Sequence, residues 1–222
     1  YGPCAAQFGR PWTRTEEDAF AILEGKSSSV CGYEKYELPF GGEDEPETEK
    51  DPLAPYVFTE PKILSSFIPD GKSMRRAGSH EAIEMKGTLL GGCLDILTNL
   101  AGTEFDRVRD FIREHGDIIW VIEACDLTPM AIRRALWSLS HCGWFDTASG
   151  FLVGRPLAAY GQDQMGVNQY NAVLDMLDRY GVPVIMDCDI GHIAPMMPLV
   201  IGAETYVRVI GNDIKLDMHF DI

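Results

Sequence analysis

The chain has 222 residues, 45% of them hydrophobic, and a formal net charge of −15 at pH 7. This composition indicates a globular protein with a sizeable core and excludes a disordered chain. The negative charge argues against nucleic acid as a partner, because phosphate binding needs a concentrated basic face. No apolar run reaches the roughly 20 residues that span a membrane, and no signal peptide is visible.

The cysteines are consistent with a reducing compartment. All 6 are scattered along the chain without a CxxC pair, and several lie in or beside apolar segments, where a free thiol behaves as a small hydrophobe. The cysteines therefore predict a cytoplasmic protein. From the net charge and the lack of long apolar runs, we expect no contact with nucleic acid or with a membrane. We also expect no cofactor.

Residues 1–80 are predicted to form an irregular acidic arm. They are rich in Gly, Pro, Ser and acids, and "GGEDEPETEKDP" is typical of an exposed loop. The exception is "TRTEEDAFAILEG", which predicts a helix that begins after Thr13 or Thr15 and ends at Gly25. The opening "YGP" resembles the middle of a loop, so a fragment of a longer protein is expected.

Residues 81–222 are predicted to form an α/β domain. The apolar runs "DIIWVI", "SGFLVG" and "VPVIM" predict buried strands, and "TYVRVIGNDIKLDM" predicts two strands across a Gly-Asn turn. Helical periods separate them in "CLDILTNLAG", "EFDRVRDFIREHG", "LTPMAIRRALWSLSHCG" and "NQYNAVLDMLDRYG". Fully apolar strands that alternate with helices indicate a mostly parallel sheet with flanking helices.

Polar side chains directly follow two of these strands. Glu123 ends the first, while Asp187, Asp189 and, across a glycine, His192 follow "VPVIM". Ligands of parallel sheets bind at the carboxyl ends of the strands, so Glu123 and His192 are expected on one rim. A carboxylate that orients an imidazole, which in turn activates a hydroxyl, is the relay of hydrolytic nucleophiles.

Other interpretations of these residues remain open. An acid after a strand is often a helix cap or an ion-pair partner, and Asp187, Asp189 and His192 could instead belong to a metallohydrolase site, although no HExxH-type spacing supports it. The chain contains no G-x-S-x-G nucleophile elbow. The residues by themselves thus predict a base and its orienting acid with no nucleophile to activate.

The segment "LLGGCLDIL" is a further candidate for binding. A Gly-Gly turn that enters a helix leaves free main-chain N–H groups at the positive end of the helix dipole, which suits a carboxylate or phosphate. Gly91, Gly92 and Cys93 are the residues of this turn. A close-packed turn without a ligand is the alternative.

Three ordered segments resemble one known family. "GTLLGGCLDILTNLAGT", "IIWVIEACDLTPMAIRRALWSLSHCGWFDTASGFLVGR" and "VPVIMDCDIGHIAPMMPLVIGA" together are similar to the C-terminal half of the LD-carboxypeptidase family of serine peptidases. That family contains murein tetrapeptide carboxypeptidases and microcin C7 self-immunity proteins. The resemblance implies a swivelling β/β/α-type C-terminal domain.

The resemblance also implies roles for single residues. The glutamate and histidine of the family's Ser-Glu-His triad fall on Glu123 and His192, and the serine belongs to an N-terminal domain outside this chain. Cys93 replaces an asparagine that usually follows the double glycine, so a ligand contact there is in doubt. The long arm is similar to that of the microcin-immunity subgroup, in which aromatic residues stack on a nucleobase; Tyr33 and Tyr36 are the candidates here.

The expected function follows from these implied roles. The chain would be the C-terminal domain of a serine carboxypeptidase that cleaves an amide in murein-derived LD-peptides or peptidyl-nucleotide antibiotics. It would be inactive alone, would pair with its own N-terminal domain and would form a homodimer. The alternative is a non-catalytic module that binds a peptide or nucleotide.

Overall fold

A computed structural model describes residues 1–38, 51, 53–71 and 73–220 of the chain. The described strands are β1 Ser29–Cys31, β2 Lys35–Tyr36, β3 Glu60–Pro61, β4 Ser65–Asp70, β5 Ser73–Arg76, β6 Ala82–Cys93, β7 Ile118–Glu123, β8 Ala148–Gly154, β9 Asp163–Gln164, β10 Val167–Asn168, β11 Val184–Cys188, β12 Glu204–Ile210 and β13 Asp213–His219. Within these ranges, nine strands form one sheet in the order β1-β13-β12-β6-β7-β8-β11-β4-β5.

The middle of the sheet is parallel and both sides are antiparallel. Strands β6, β7, β8 and β11 run parallel to one another. On one side β12, β13 and β1 continue the sheet in antiparallel pairs from β6, and on the other side β4 and β5 do so from β11. All residues of β7 are buried, as expected for a central parallel strand, while β12 and β13 alternate between buried and exposed residues. The predicted α/β class is confirmed.

Two of the described helices begin at capping signals that are visible in the sequence. The α-helices are α1 Arg14–Leu23, α2 Leu94–Leu100, α3 Val108–His115, α4 Pro129–His141 and α5 Gln169–Leu177, and Ala5–Gly9 and Asp178–Tyr180 are 3-10 turns. Thr13 caps α1 in a capping box with Glu16, and Thr128 caps α4 ahead of Pro129. No helix in the described ranges has the length and apolarity needed to cross a bilayer.

Helix α3 is shorter than the apolar spacing of its segment predicts. The helical period of "EFDRVRDFIREHG" places Phe105 on the apolar face with Val108, Phe111 and Ile112, but the helix begins at Val108 and Phe105 is 73% exposed. The reason is Asp106, whose carboxylate accepts the main-chain N–H groups of Gly102 and Val108 and the indole N–H of Trp144. These bonds hold the segment before the helix in a turn.

Two apolar layers cover the sheet. Ile118, Trp120 and Ile122 of β7 pack into a cluster with α4 and α5, and Ile119 and Val121 face a second cluster on the opposite side. The period-2 geometry of a strand sends alternate side chains to opposite faces. The central strand β7 is thus buried on both sides, whereas β12 and β13 bury only one face.

Segments before residue 80 take part in the same sheet. β1 pairs with β13 at one edge, and β4 and β5 extend the other edge from β11. The division into an arm of residues 1–80 and a domain of residues 81–222 stays a prediction, but part of the arm is more regular than expected. The acidic stretch of residues 41–52 lies outside the described residues except for Asp51.

Candidate functional site

The first element of the site is a glutamate at the end of the central strand β7. Glu123 is 1% exposed and lies beside Cys93, its partner in the register between β6 and β7. A buried carboxylate needs hydrogen-bond donors, because burial of an ionised group without partners costs far more free energy than burial of a neutral polar group does. Both oxygens of Glu123 have such a donor.

The first donor is His192. Its Nδ1 lies 2.9 Å from Oε2 of Glu123, although 69 residues separate the two in sequence. The His192 side chain is 44% exposed, and Nε2 forms no hydrogen bond within the part of the chain that the structure describes. A neutral imidazole with its proton on Nδ1 therefore presents the lone pair of Nε2 outward, which is the tautomer a general base requires.

The loop that carries His192 must pass very close to Glu123. Gly191 has a φ of +110°, and a Cβ built on it would lie 2.9 Å from Oε2 of Glu123. Only glycine meets both conditions without strain. The close approach of the loop to Glu123 thus requires a glycine directly before His192.

The second donor to Glu123 is Tyr1, which the sequence reasoning did not select. Its hydroxyl donates to Oε1 of Glu123 at 2.6 Å. Burial, followed by the bond to Glu123, raises the pKa of this phenol well above its usual range, so it remains a donor at neutral pH. Tyr1, Glu123 and His192 thus form one hydrogen-bonded row.

The hydrogen bond within the row favours the protonated form of His192. The bond to Glu123 raises the pKa of His192, and Asp95 and Asp126 add a smaller effect of the same sign. A raised folded-state pKa means that the imidazolium–carboxylate pair stabilises the fold fully below the unfolded pKa of about 6.5. That contribution is lost as the pH rises through the folded pKa.

Substitution of Glu123 by glutamine should lower the pKa of His192 toward about 6.5, the ordinary value for histidine, because the largest cause of the shift is removed. NMR titration of the imidazole protons from pH 5 to 9 measures this. The matched control is Asp126→Asn, which removes an acid that forms no hydrogen bond with His192 and should cause a smaller decrease. An equal decrease in both variants would contradict the assigned hydrogen bond.

The double glycine lies next to this pair. Strand β6 continues through Cys93, and α2 begins at Leu94. Asp95 in the first turn accepts the main-chain N–H groups of Cys125 and Asp126 at 3.0 and 2.9 Å, so it ties down the loop that follows Glu123. Burial, and then the charge of Glu123, raise the pKa of Cys93 to about 12, which keeps it a thiol.

The two glycines should differ sharply in their tolerance of alanine. Both have positive φ, +136° and +145°, but a Cβ on Gly91 would lie 1.9 Å from the main-chain oxygen of Val121, whereas on Gly92 it would meet nothing closer than 3.9 Å. Backbone strain predicts a loss of about 1–3 kcal/mol for Gly92→Ala. Gly91→Ala should cost at least about 2 kcal/mol more, measured by urea unfolding. Equal losses would show that the chain relaxes around residue 91.

The two tyrosine candidates contact groups outside the row. Tyr33 is 6% exposed; its hydroxyl donates to Asp18, and its main-chain N–H donates to Asp189. The hydroxyl of Tyr36 lies 2.5 Å from that of Tyr160, and its ring lies under the guanidinium of Arg155 at 4.3 Å. These contacts are structural; a contact with a nucleobase stays a prediction.

Asp187 and Asp189, the two aspartates of the possible metal site, accept hydrogen bonds from other residues of the protein. Asp189 is fully buried and its carboxylate contacts Arg155 and the N–H of Tyr33, while Asp187 accepts from Gln169. In the described ranges, no three His, Cys, Asp or Glu side chains lie together in a way that could hold a metal ion. The structure therefore brings Glu123 and His192 together and directs the two aspartates elsewhere.

A comparison with protein families identifies the chain. The LD-carboxypeptidase C-terminal domain matches residues 86–207, which include both Glu123 and His192. The chain belongs to the LD-carboxypeptidase family. The resemblance noted in the sequence is thereby confirmed, and the family is one of serine carboxypeptidases.

Solved structures of LD-carboxypeptidase relatives share the fold. The microcin C7 self-immunity protein MccF has a TM-score of 0.70 at 20% identity, and the match covers 99% of this chain and 60% of MccF. An MccF-like protein from Streptococcus pneumoniae has a TM-score of 0.57 at 18% identity, covering 89% and 55% of the two chains. A muramoyltetrapeptide carboxypeptidase from Oxalobacter formigenes has a TM-score of 0.53 at 19% identity, covering 71% and 50%.

This chain spans only part of these relatives: the matches cover 50–60% of the length of the three solved chains. A comparison with curated protein sequences found no significant match.

Proposed function

We propose that this chain is the C-terminal catalytic domain of a cytoplasmic serine carboxypeptidase and supplies the glutamate and histidine of a Ser-Glu-His triad. The observation that carries the proposal is the 2.9 Å contact between Nδ1 of His192 and Oε2 of Glu123, with Nε2 left open. Membership of the LD-carboxypeptidase family supports the reaction class.

The substrate is an amide in a murein-derived LD-peptide or in a peptidyl-nucleotide, microcin C-like antibiotic. Structural neighbours support these two classes, because they include a muramoyltetrapeptide carboxypeptidase and MccF in complex with aspartyl sulfamoyl adenosine.

In the proposed mechanism, a serine hydroxyl from an N-terminal domain approaches Nε2 of His192. Nε2 takes the hydroxyl proton as the oxygen attacks the substrate carbonyl, and then returns it to the nitrogen of the leaving amine. Glu123 accepts the hydrogen bond from Nδ1–H throughout, so it holds the tautomer and stabilises the imidazolium that forms. Tyr1 keeps the second oxygen of Glu123 occupied.

The serine comes from outside this chain, so the chain alone is expected to be inactive. Its nearest partner is the N-terminal domain of the same protein, and the assembled enzyme is expected to be a homodimer. Cys93 is the register partner of Glu123, and Gly91 and Gly92 precede it on β6, so all three remain candidates for substrate contact.

The test compares the full-length protein with the 222-residue chain. Each is incubated with an LD-tetrapeptide and with aspartyl sulfamoyl adenosine, and the released amino acid is quantified. Turnover by the full-length protein and none by the chain is the expected result. Turnover by the chain alone would refute the division of the triad, and binding by the full-length protein without turnover would favour a non-catalytic binding module.

A further inference from the structure

The loop that carries His192 is held at a point three residues before the histidine. Asp189 is 0% exposed, and both of its carboxylate oxygens are used: Oδ1 accepts from Nη2 of Arg155 at 2.5 Å and Oδ2 accepts the main-chain N–H of Tyr33 at 2.7 Å. Its carbonyl accepts the N–H of Met197 at 2.7 Å. The segment between Asp189 and Met197 is therefore closed into a loop with His192 near its middle.

Arg155 reaches this loop from the neighbouring strand. It follows the last residue of β8, is 2% exposed, and donates through Nη1 to the carbonyl of Asp187 at 2.7 Å as well as through Nη2 to Asp189. One planar guanidinium thus ties the end of β11, at Asp187, to the first residue of the loop, Asp189. The ring of Tyr36 covers the guanidinium at 4.3 Å.

We propose that Arg155 is a positioning residue for His192, acting through Asp187 and Asp189. This inference rests on the proposed function for its catalytic consequence, but the position of the imidazole can be tested without turnover. Arg155 touches neither Glu123 nor His192 through a hydrogen bond in the described ranges. Its effect is to hold the loop at the place where Nδ1 meets Oε2.

The geometry distinguishes positioning from a simple charge effect. Removal of the Arg155 cation alone would raise the pKa of a histidine, because the protonated form loses a repulsion. In a variant that also loses the Asp189 carboxylate, the two charge effects oppose each other. Release of the loop would instead lower the pKa of His192, because its bond to Glu123 is the largest cause of the elevation. The other acids that act on the ring, Asp95 and Asp126, lie on or beside α2 and the loop after β7, and they remain in place.

The experiment is NMR titration of His192 in the 222-residue chain, with the signal assigned from a His192→Gln variant. The variants are Arg155→Lys and the double variant Arg155→Met with Asp189→Asn, which removes the ion pair without leaving a buried charge and keeps an acceptor for the N–H of Tyr33. The double variant should lower the pKa of His192 toward about 6.5. Arg155→Lys should give an intermediate value, because an ammonium is not a planar two-armed donor.

A matched control separates positioning from general stability. Leu139 of α4 is fully buried in the cluster on the helix side of the sheet, and Leu139→Ala should lower the melting temperature without changing the pKa of His192. An unchanged or raised pKa of His192 in the folded double variant would overturn the proposal. So would an equal decrease in Leu139→Ala.

The kinetics of the full-length protein complete the test. The double variant should lower kcat with little change in KM, since the base is displaced while the substrate contacts remain. If the pKa falls but turnover does not, positioning stands and the proposed function fails. If turnover falls while the pKa of His192 is unchanged, the proposed function stands and positioning by Arg155 is wrong.

Discussion

Replacement of His192 by alanine in the full-length protein is expected to lower kcat by about 10,000-fold or more. A serine triad without its histidine loses the group that accepts the serine proton and returns it to the leaving amine, and only binding and oxyanion stabilisation remain. Although the His192 side chain is 44% exposed, its loss also leaves Oε2 of the buried Glu123 without its donor, so urea unfolding of the variant accompanies the activity measurement. The measurement is release of the C-terminal amino acid from an LD-tetrapeptide.

His141 provides the control for this substitution. It ends helix α4, is exposed, and its Nδ1 lies 2.8 Å from the main-chain oxygen of Trp137. His141→Ala should leave kcat within a factor of two. A loss of less than tenfold in His192→Ala would contradict the assignment of His192 as the base.

Replacement of Arg155 by methionine is expected to lower the free energy of unfolding by about 3–5 kcal/mol. The side chains of Arg155 and Asp189 are 2% and 0% exposed, so the variant leaves a buried carboxylate without its counter-ion. Among the buried polar side chains in the described ranges, we expect the largest loss of unfolding free energy here. Urea unfolding of the 222-residue chain measures it.

A double-mutant cycle with Asp189→Asn separates the cost of the unpaired charge from the rest. Either single variant leaves one buried charge, whereas the double variant leaves none, so most of the lost stability should return in the double variant. Additive losses would show that the two side chains do not stabilise each other. Recovery of stability with a lowered pKa of His192 would show that the ion pair matters more for the loop than for the fold.

Elements whose signals are local could be predicted from the sequence. The buried runs at Ile118–Glu123, Ala148–Gly154 and Val184–Cys188 became the parallel strands β7, β8 and β11. The start of α4 also has a local signal, because Thr128 is its N-cap and Pro129 its first residue. Phe105 was misplaced because the turn made by Asp106 involves Trp144, which is distant in sequence.

The proximity of Glu123 and His192 could also be expected, because both follow parallel strands of one sheet. The sequence alone determined that these side chains share a rim, since the carboxyl ends of parallel strands lie on the same edge. It also determined the family, through three segments in a fixed order within residues 86–207.

Only the tertiary structure decided which groups complete and support the pair. Tyr1 reaches Glu123 across 122 residues and Arg155 reaches Asp189 across 34. No periodicity or cap signal encodes such contacts, because they depend on how the edge strands and loops pack around the sheet. For the same reason, only the fold showed that Asp189 is an ion-pair partner of Arg155 and that His192, three residues later, is open to solvent on one side.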